Sequence, residues 1–408
     1  MIRRYVAAII FLSVLLSFSV CTITAAVEQD ITVPIIEGMK EYEIPDNDAL
    51  RFVRDMKTGW NLGNTFDAYG GNWFHGPEPQ METIWCQVRT SQDLIHAIRD
   101  AGFGSIRIPV SWHDHVDSDY NINPIWMNRV KEVAGWALDE GMYVIINVHH
   151  DNDPTYKYYF YPDSAHYEQS AAFLKAIWTQ MAESFAEFGD HLILESMNEP
   201  RLIGTAYEWN FNEQNAQCRD AADCINRLNQ LFVDTVRAAG GNNALRYLSC
   251  PGYSGGAPGV TSDLYVIPQD SADNRILVNC HAYTPYNFAL NMGDGSYSEF
   301  DLNSGRDVKY QISTFMDQLY DKYVSKGIPV IIDEYGALNK NGNTQDRVNF
   351  MAYYVCAASV RGITCFLWDN HSFSGNGEQF GFIDRAACKW KYPEIVEAIM
   401  SNCLTHRQ

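Results

Sequence analysis

Basic residues are scarce in this chain: 30 lysines and arginines stand against 50 aspartates and glutamates, a formal charge of −20 over 408 residues. Such a surface repels phosphate, so neither a nucleic acid nor an anionic lipid is expected as partner, and a neutral substrate fits best. Close cysteine pairs are also missing. None of the ten cysteines forms a CxxC, which argues against a zinc ribbon. Beyond the first twenty-odd residues, no apolar run approaches the roughly 20 needed to span a bilayer. No GxGxxG follows the first strand-like segment, so the fingerprint of a dinucleotide-binding open sheet is absent. There is no Pro/Ser/Thr-rich linker, internal repeat or low-complexity tract, and no appended binding module is expected.

The single long apolar stretch stands at the start. Arg3 and Arg4, a run from Val6 to Val20 and the small residues Thr24, Ala25 and Ala26 read together as a secretory signal over 1–26. Export to the extracellular space or periplasm is therefore expected. Lipid anchoring at Cys21 is not, because Phe18, Ser19 and Val20 match poorly the small residues that precede a lipidated cysteine. Nine cysteines follow the signal, an odd count that leaves at least one unpaired. Cys218 and Cys224, in a polar stretch of an exported chain, form the local disulfide candidate. Cys280, Cys356 and Cys365 sit in apolar runs and read as small buried hydrophobes.

Apolar segments are spread evenly, which favours one large barrel over two smaller domains. Eight short runs, β-branched or aromatic and ending in polar residues, read as buried strands: 58–65, 105–112, 143–150, 192–199, 245–252, 276–283, 329–335 and 363–370. Between them lie helix-length amphipathic stretches at 91–101, with Ser91 as N-cap, and at 124–140, 167–188, 222–239, 307–326 and 344–358; a last one spans 392–401. Gly102, Gly141, Gly240 and Gly327 precede the next strand. This alternation is the pattern of a single-domain α/β (β/α)8 TIM barrel over 46–403, with 27–45 a leader lacking a core of its own.

Barrel active sites assemble at the C-terminal ends of the strands, and polar groups gather there in this sequence. Arg107 lies on the second segment, His149 and His150 end the third, Asn198 and Glu199 the fourth; His281 and Tyr283 lie on the sixth, Glu334 ends the seventh and Trp368 the eighth. Any one could be an ordinary core group, but buried charge without partners is costly, and packing does not account for so many on one rim. Glu199 and Glu334 form the pair with chemistry. A glycosidic bond breaks through an oxocarbenium-like state that needs one acid for the leaving oxygen and a second carboxylate opposite. A gap of about 5 to 5.5 Å gives retention and about 6.5 to 9.5 Å gives inversion. The spacing in sequence leaves that open.

Glu195 shares strand parity with Glu199 but should lie about 13 Å deeper at about 3.3 Å per residue, paired with Arg107. Asp333, of opposite parity to Glu334, should face the helices. His149 and His150 could suggest a metal, but neighbours on a strand point to opposite sides, so hydrogen bonding is expected and no metal. Aromatics at 13%, with ten tryptophans, serve either a large core or platforms for sugar faces.

These residues fall in recognisable motifs: GWNLGNTFDA (59–68), SIRIPVSW (105–112), INVHHD (146–151), ESMNEPR (195–201), HAYTPY (281–286), IIDEYGA (331–337) and FLWDN (366–370). Together they resemble glycoside hydrolase family 5, and within it the fourth subfamily of secreted endoglucanases, xyloglucanases and mixed-linkage glucanases. The resemblance implies a retaining endo-β-1,4-glucanase with Glu199 as acid/base and Glu334 as nucleophile. Asn198 would hold the sugar 2-hydroxyl, Arg107 and Tyr283 would orient the nucleophile and keep it ionised, His149, His150 and His281 would line the same subsite, and Trp368 would floor it. The implied partner is a neutral β-glucan, with no cofactor, and the chain is expected to act as a monomer. Phe66, where leucine is common, and His113 depart from the pattern without touching the chemistry. Trp73 and Phe74 in the loop 67–82, and the cluster 158–161, are candidate extra platforms. A xyloglucanase or a mannan or xylan hydrolase remains the alternative within this chemistry; outside it stand a silent carbohydrate-binding barrel and a metal-dependent hydrolase.

Overall fold

A computed structural model describes residues 30–71, 78–303 and 308–404. The signal segment, Cys21, Trp73, Phe74 and the first residue of the helix expected at 307 lie outside the described residues. In chain order the elements are α1 (Asp48–Asp55), β1 (Gly59–Leu62), α2 (Glu78–Met81), α3 (Gln92–Asp100), β2 (Ser105–Ile108), α4 (Pro124–Asp139), β3 (Tyr143–Asn147), α5 (Tyr167–Ser184), β4 (Leu192–Glu195) and α6 (Ala216–Ala238). There follow β5 (Leu248–Gly256), α7 (Ala257–Thr261), β6 (Ile276–His281), α8 (Tyr286–Ala289), α9 (Val308–Lys322), β7 (Val330–Tyr335), α10 (Thr344–Ser359), β8 (Thr364–Asp369) and α11 (Pro393–Asn402). Strands β1 to β8 pair in sequential order, all parallel, and β8 closes on β1. The expected (β/α)8 barrel is the fold.

Strand alternation builds the barrel interior in layers. At the N-terminal end Ile145, Ile193, Tyr247, Leu277, Ile331 and Phe366 meet Ala49 and Val53 of α1 and its cap residue Met56, which together plug the bottom. Two residues further along the same strands stand Asn147, Glu195, Ser249, Asn279, Asp333 and Trp368, so a polar layer lies directly on the apolar one.

Local signals explain most helix limits. Ser91 Oγ accepts the Leu94 N–H at 3.2 Å as the expected cap. Asn123 caps α4, with proline in its first turn. Helix α6 begins six residues earlier than the apolar pattern suggests, because the Asn215 side chain accepts from the N–H groups of Gln217 and Cys218. That shift overturns the disulfide expectation. Cys218 and Cys224 stand six residues apart on one helix, a rise of about 9 Å where a bridge tolerates about 7 Å between Cα atoms; both are buried and free. Between β5 and β6 the only helix is the five-residue α7. Buried Arg246 donates to the carbonyls of Phe185, Phe188, Gly189 and Leu192 at 2.8 to 3.0 Å, tying the end of α5 to the start of β4.

Residues 32–46 run along the outer helices: the Asn402 amide bonds the backbone of Pro34 and Ile36, and Tyr320 donates to the Glu43 carbonyl. Among the described residues no helix is long and apolar enough to cross a membrane.

The first four strands stop three to four residues short of their expected ends. At the mouth the backbone leaves the ladder, and side-chain alternation no longer holds there. Close approach at this mouth requires a glycine at Gly63, where an added Cβ would lie 2.7 Å from the Trp368 ring and 2.8 Å from the Asp369 carbonyl. Gly63→Ala should therefore displace the Trp368 ring, costing about 1–3 kcal/mol of stability by overpacking and lowering turnover; thermal melting and kinetics on a soluble glucan check both.

Candidate active site

Arg107 lies on β2 with no exposure, and each of its guanidinium nitrogens has a partner. Nε and Nη2 donate to the two oxygens of Glu195, both at 2.7 Å. Nη1 donates to Glu334 Oε1 at 2.6 Å and Asn61 Oδ1 at 3.0 Å, and Nη2 also reaches Asn198 Oδ1 at 2.7 Å. Only a planar fork of five donors can serve four side chains at once. Burial works against the charge, but Glu195, Glu334 and Asp333 outweigh it and hold the guanidinium well above its already high ordinary pKa.

Glu195 is buried in the barrel interior and pairs with Arg107, as expected. Extended strand ends at Glu195, and Asn198, next to Glu199, reaches the same guanidinium nitrogen as Glu195 does. Asp333 is a correction: it faces the barrel interior, accepting from Asn279 Nδ2 at 2.5 Å, with Arg107 Nε at 3.8 Å. The β7–β8 register shifts between Ile332 and Tyr335, and the β6–β7 register between Cys280 and His281. These irregularities let Asp333 and Glu334, adjacent in sequence, both turn inward.

His281 stands between the two glutamates. Its Nδ1 is 2.8 Å from Glu199 Oε1 and 3.4 Å from Glu334 Oε2, and Nε2 faces Asp333 Oδ1 at 3.6 Å. One oxygen of Glu199, one of Glu334 and a ring nitrogen of His281 all lie within 4.8 Å of one another. Burial disfavours charge on His281, but Glu334, Asp333 and Glu199 push its pKa up to about 9. Glu199, also raised by burial, is brought below the ordinary carboxyl range by the His281 hydrogen bond and charge and by Arg201.

Glu334 moves the other way. Burial and then the charge of Glu199 raise it against His281 and Arg107. The two cations therefore offset the burial without reversing it. Both its oxygens face donors, Arg107 on one side and Tyr283 Oη at 3.0 Å on the other, an arrangement that suits the ionised form. Burial and the Glu334 charge hold Tyr283 well above its ordinary pKa, so it stays a donor.

Asn147 fixes the tautomer of His149. Its Oδ1 accepts the Val110 N–H at 3.0 Å and its Nδ2 donates to Glu195 at 3.0 Å, so the same NH2 donates to His149 Nδ1 at 3.1 Å. The proton then sits on Nε2, free to donate to a hydroxyl. Burial, followed by the neighbouring His150 and Arg107 charges, keeps His149 well below its ordinary pKa and neutral. Its ring is parallel to Trp368 at 6.0 Å.

The family model described as Cellulase (glycosyl hydrolase family 5) matches residues 67–374. The chain belongs to glycosyl hydrolase family 5. It is 39% identical to Endoglucanase B of Neocallimastix patriciarum over 358 residues, 87% of this chain and 72% of that protein. A family 5 lichenase from Caldicellulosiruptor sp. F32, solved as a Glu-to-Gln mutant with cellotetraose, superposes with a TM-score of 0.89 at 52% identity, over 91% of this chain and all of that one. A subfamily 4 broad-specificity endoglucanase from Ruminococcus champanellensis with bound cellotriose gives 0.80 at 40%, over 88% of this chain and all of that one. The chain is thus a glycoside hydrolase, as its motifs imply.

Within this family 5 enzyme, the residues singled out from sequence gather at the barrel mouth. His149 and His150 do not diverge as strand neighbours would. The strand ends at Asn147, and the two rings meet edge to face at 4.4 Å. Of the platform candidates at 158–161, Tyr158 and Tyr159 are half-buried, and two need revision. Phe160 and Tyr161 are buried, Tyr161 donating to the Ile203 carbonyl, and pack the fold. Tyr69, Trp85 and His150 form instead a ring cluster, with Tyr69–Trp85 at 5.0 Å and Tyr69–His150 at 5.7 Å. Phe66 packs on Trp126, and His113 bonds Asp151 beneath Tyr156. Sequence reading missed Asn61, Asn147 and Asn279. Their signal was parity: each is a polar residue at an inward position of an apolar strand.

Among the described residues, two groups of ligand atoms lie close enough to consider a metal: Asp67, His149 and His150, and Glu199, His281 and Glu334. In the first, Asp67 already accepts the N–H groups of Asn64 and Thr65, and His149 Nδ1 accepts from Asn147. In the second, Arg107 already occupies Glu334 Oε1. Neither donor set is open to a cation.

Arg107→Met strands Glu195 as a buried, unpaired carboxylate. A loss of about 3–5 kcal/mol in denaturant melts is expected, with hydrolysis abolished. The His281 charge links stability to pH. Because folding raises its pKa, its contribution is complete below about pH 6.5 and is lost as pH climbs through about 9. His281→Gln should therefore flatten the fall in melting temperature over that window; a profile parallel to the parent's would show that the folded imidazole is uncharged.

Proposed function

We propose that the enzyme is a retaining endo-β-1,4-glucanase acting on cellulose or mixed-linkage glucan, with Glu334 as nucleophile and Glu199 as acid/base. The observation that carries this is the approach of the two carboxylates, with one oxygen of each within 4.8 Å. This close approach supports direct attack, for which carboxyls stand about 5 to 5.5 Å apart, over inversion at about 6.5 to 9.5 Å.

In the first step a Glu334 oxygen bonds to the anomeric carbon as the glycosidic C–O bond breaks, and Glu199 gives its proton to the departing oxygen. In the second, water gives a proton to Glu199 and its oxygen to the same carbon, releasing Glu334. At rest the needed proton sits on His281 Nδ1, 2.8 Å from Glu199 Oε1. A bound sugar strips the remaining water from Glu199, whose side chain is 19% exposed, and so favours its neutral form, drawing that proton across. Asn198, oriented by Arg107, holds the 2-hydroxyl; His149 and His150 bind further hydroxyls, and Trp368 underlies the ring.

The relatives' names, endoglucanase and lichenase, support β-1,4 glucan as substrate. The N-terminal segment 1–26 supports export, 27–45 is the leader and 46–403 the catalytic barrel, acting as a monomer. Proton NMR of the first released sugar should show the β-anomer. Glu334→Gln and Glu199→Gln should each lower turnover of carboxymethylcellulose by at least about 10³-fold. Persistent hydrolysis in both variants would defeat the two-carboxylate assignment.

A further inference from the structure

Asp333 is a buried carboxylate that the two-glutamate reaction leaves without a task. Its side chain has no exposure, and Asn279 Nδ2 pins Oδ2 at 2.5 Å. The other oxygen, Oδ1, faces His281 Nε2 at 3.6 Å. Among the described residues neither of these two atoms has a hydrogen-bond partner, so each is left to the other. The distance is too long for a hydrogen bond, and the pair acts through charge in an interior that screens little. His281 is thereby addressed on both nitrogens: Nδ1 by Glu199 at 2.8 Å and Glu334 at 3.4 Å, Nε2 by Asp333. Only the imidazolium has a hydrogen for each side.

The other titratable groups around the ring are already engaged. Arg107 of β2 is bound to Glu195 and Glu334, Arg201 beyond β4 to Glu199 and Glu208, and Tyr283, two residues beyond β6, donates to Glu334. Burial keeps His149 and His150, beyond β3, neutral, and Glu378, beyond β8, interacts with Glu199 and Glu334.

We propose that Asp333 is a positioning residue acting through His281: it keeps the hydrogen on Nε2, so that the one on Nδ1 is the proton that moves to Glu199. The proposal rests on reading Glu199 as the acid. In the transfer the Nδ1–H bond breaks and a Glu199 Oε1–H bond forms. The electron pair stays on Nδ1, the ring becomes neutral with its Nε2–H still toward Asp333, and Glu199 passes the proton to the departing oxygen. In the second step a proton from water restores the pair. Without the Asp333 charge the neutral ring is free to hold its hydrogen on Nδ1, and a neutral imidazole of that form gives Glu199 no proton.

Nitrogen-15 NMR of histidine-labelled enzyme, with the His281 signals assigned by their loss in His281→Gln, should show both ring nitrogens protonated at about pH 7. A ring without its Nε2 hydrogen there would overturn the proposal in the parent enzyme, whatever the variants do. Asp333→Asn keeps the shape of the side chain and removes its charge. Burial disfavours charge on His281, and Asp333, after Glu334, is an anion that opposes it. The alkaline limb of kcat/KM on cellotetraose should therefore move down by about 1 to 3 pH units. On 2,4-dinitrophenyl β-cellobioside, whose leaving group needs no proton, no such shift is expected. Asp333→Ser, also neutral, supplies the same readout if the amide variant does not fold. Equal losses on both substrates with an unmoved limb mark a merely structural residue and would overturn the proposal. Glu199→Gln separates the two readings: if it loses no more on the tetraose than on the aryl substrate, the acid assignment fails; if it is selective and Asp333→Asn leaves the limb in place, only the role of Asp333 fails.

Discussion

A single buried guanidinium organises this enzyme's chemistry. Arg107 binds Glu195, Asn198, Glu334 and Asn61, so groups from β1, β2, β7 and both the interior and the mouth of β4 are fixed relative to one cation. An isolated carboxylate at Glu195 would be prohibitively costly, and an isolated Arg107 equally so; together with their hydrogen bonds they form a layer that an apolar barrel can hold. The polar layer is not an ornament on the core. It converts the rigidity of the barrel into fixed positions for Asn198 and Glu334.

Charge in the site follows from that layer. Glu195, Asp333, Glu334 and Glu199 cluster around Arg107 and His281, so the imidazole gains by carrying a proton even though burial opposes it. Arg107 cannot release its proton, whereas His281 can pass one to Glu199 at hydrogen-bond distance. The raised His281 and the lowered Glu199 thus face each other across one hydrogen bond.

The sequence announced the barrel because buried parallel strands read as apolar runs and their helices as amphipathic ones, and both periods are long enough to recognise. It announced the site because polar residues ended those runs. It failed where alternation fails. Asp333 was expected outside because its parity was counted from Glu334; it follows Ile331 in the alternation and lies inside, and the register shifts around β7 turn Glu334 inward as well. His149 and His150 were expected apart and lie together because β3 ends at Asn147. Cys218 and Cys224 were read as a local disulfide pair because the Asn215 cap, which puts both on one helix, lies upstream of the apolar pattern. Long-range pairings, such as Arg107 with Glu334 across 227 positions, leave no periodic trace.

Arg201 shows the same limit from the other side. In sequence it is only the residue after Glu199-Pro200, and its neighbour Trp209 is one tryptophan among ten. Pro200 and the capped turns that follow bring them together beneath an open surface, next to the oxygen of Glu199 that His281 leaves unoccupied. The barrel supplies a fixed charge layer below, while the loop above it brings an aromatic face and a cation to the edge of the Glu199 carboxyl.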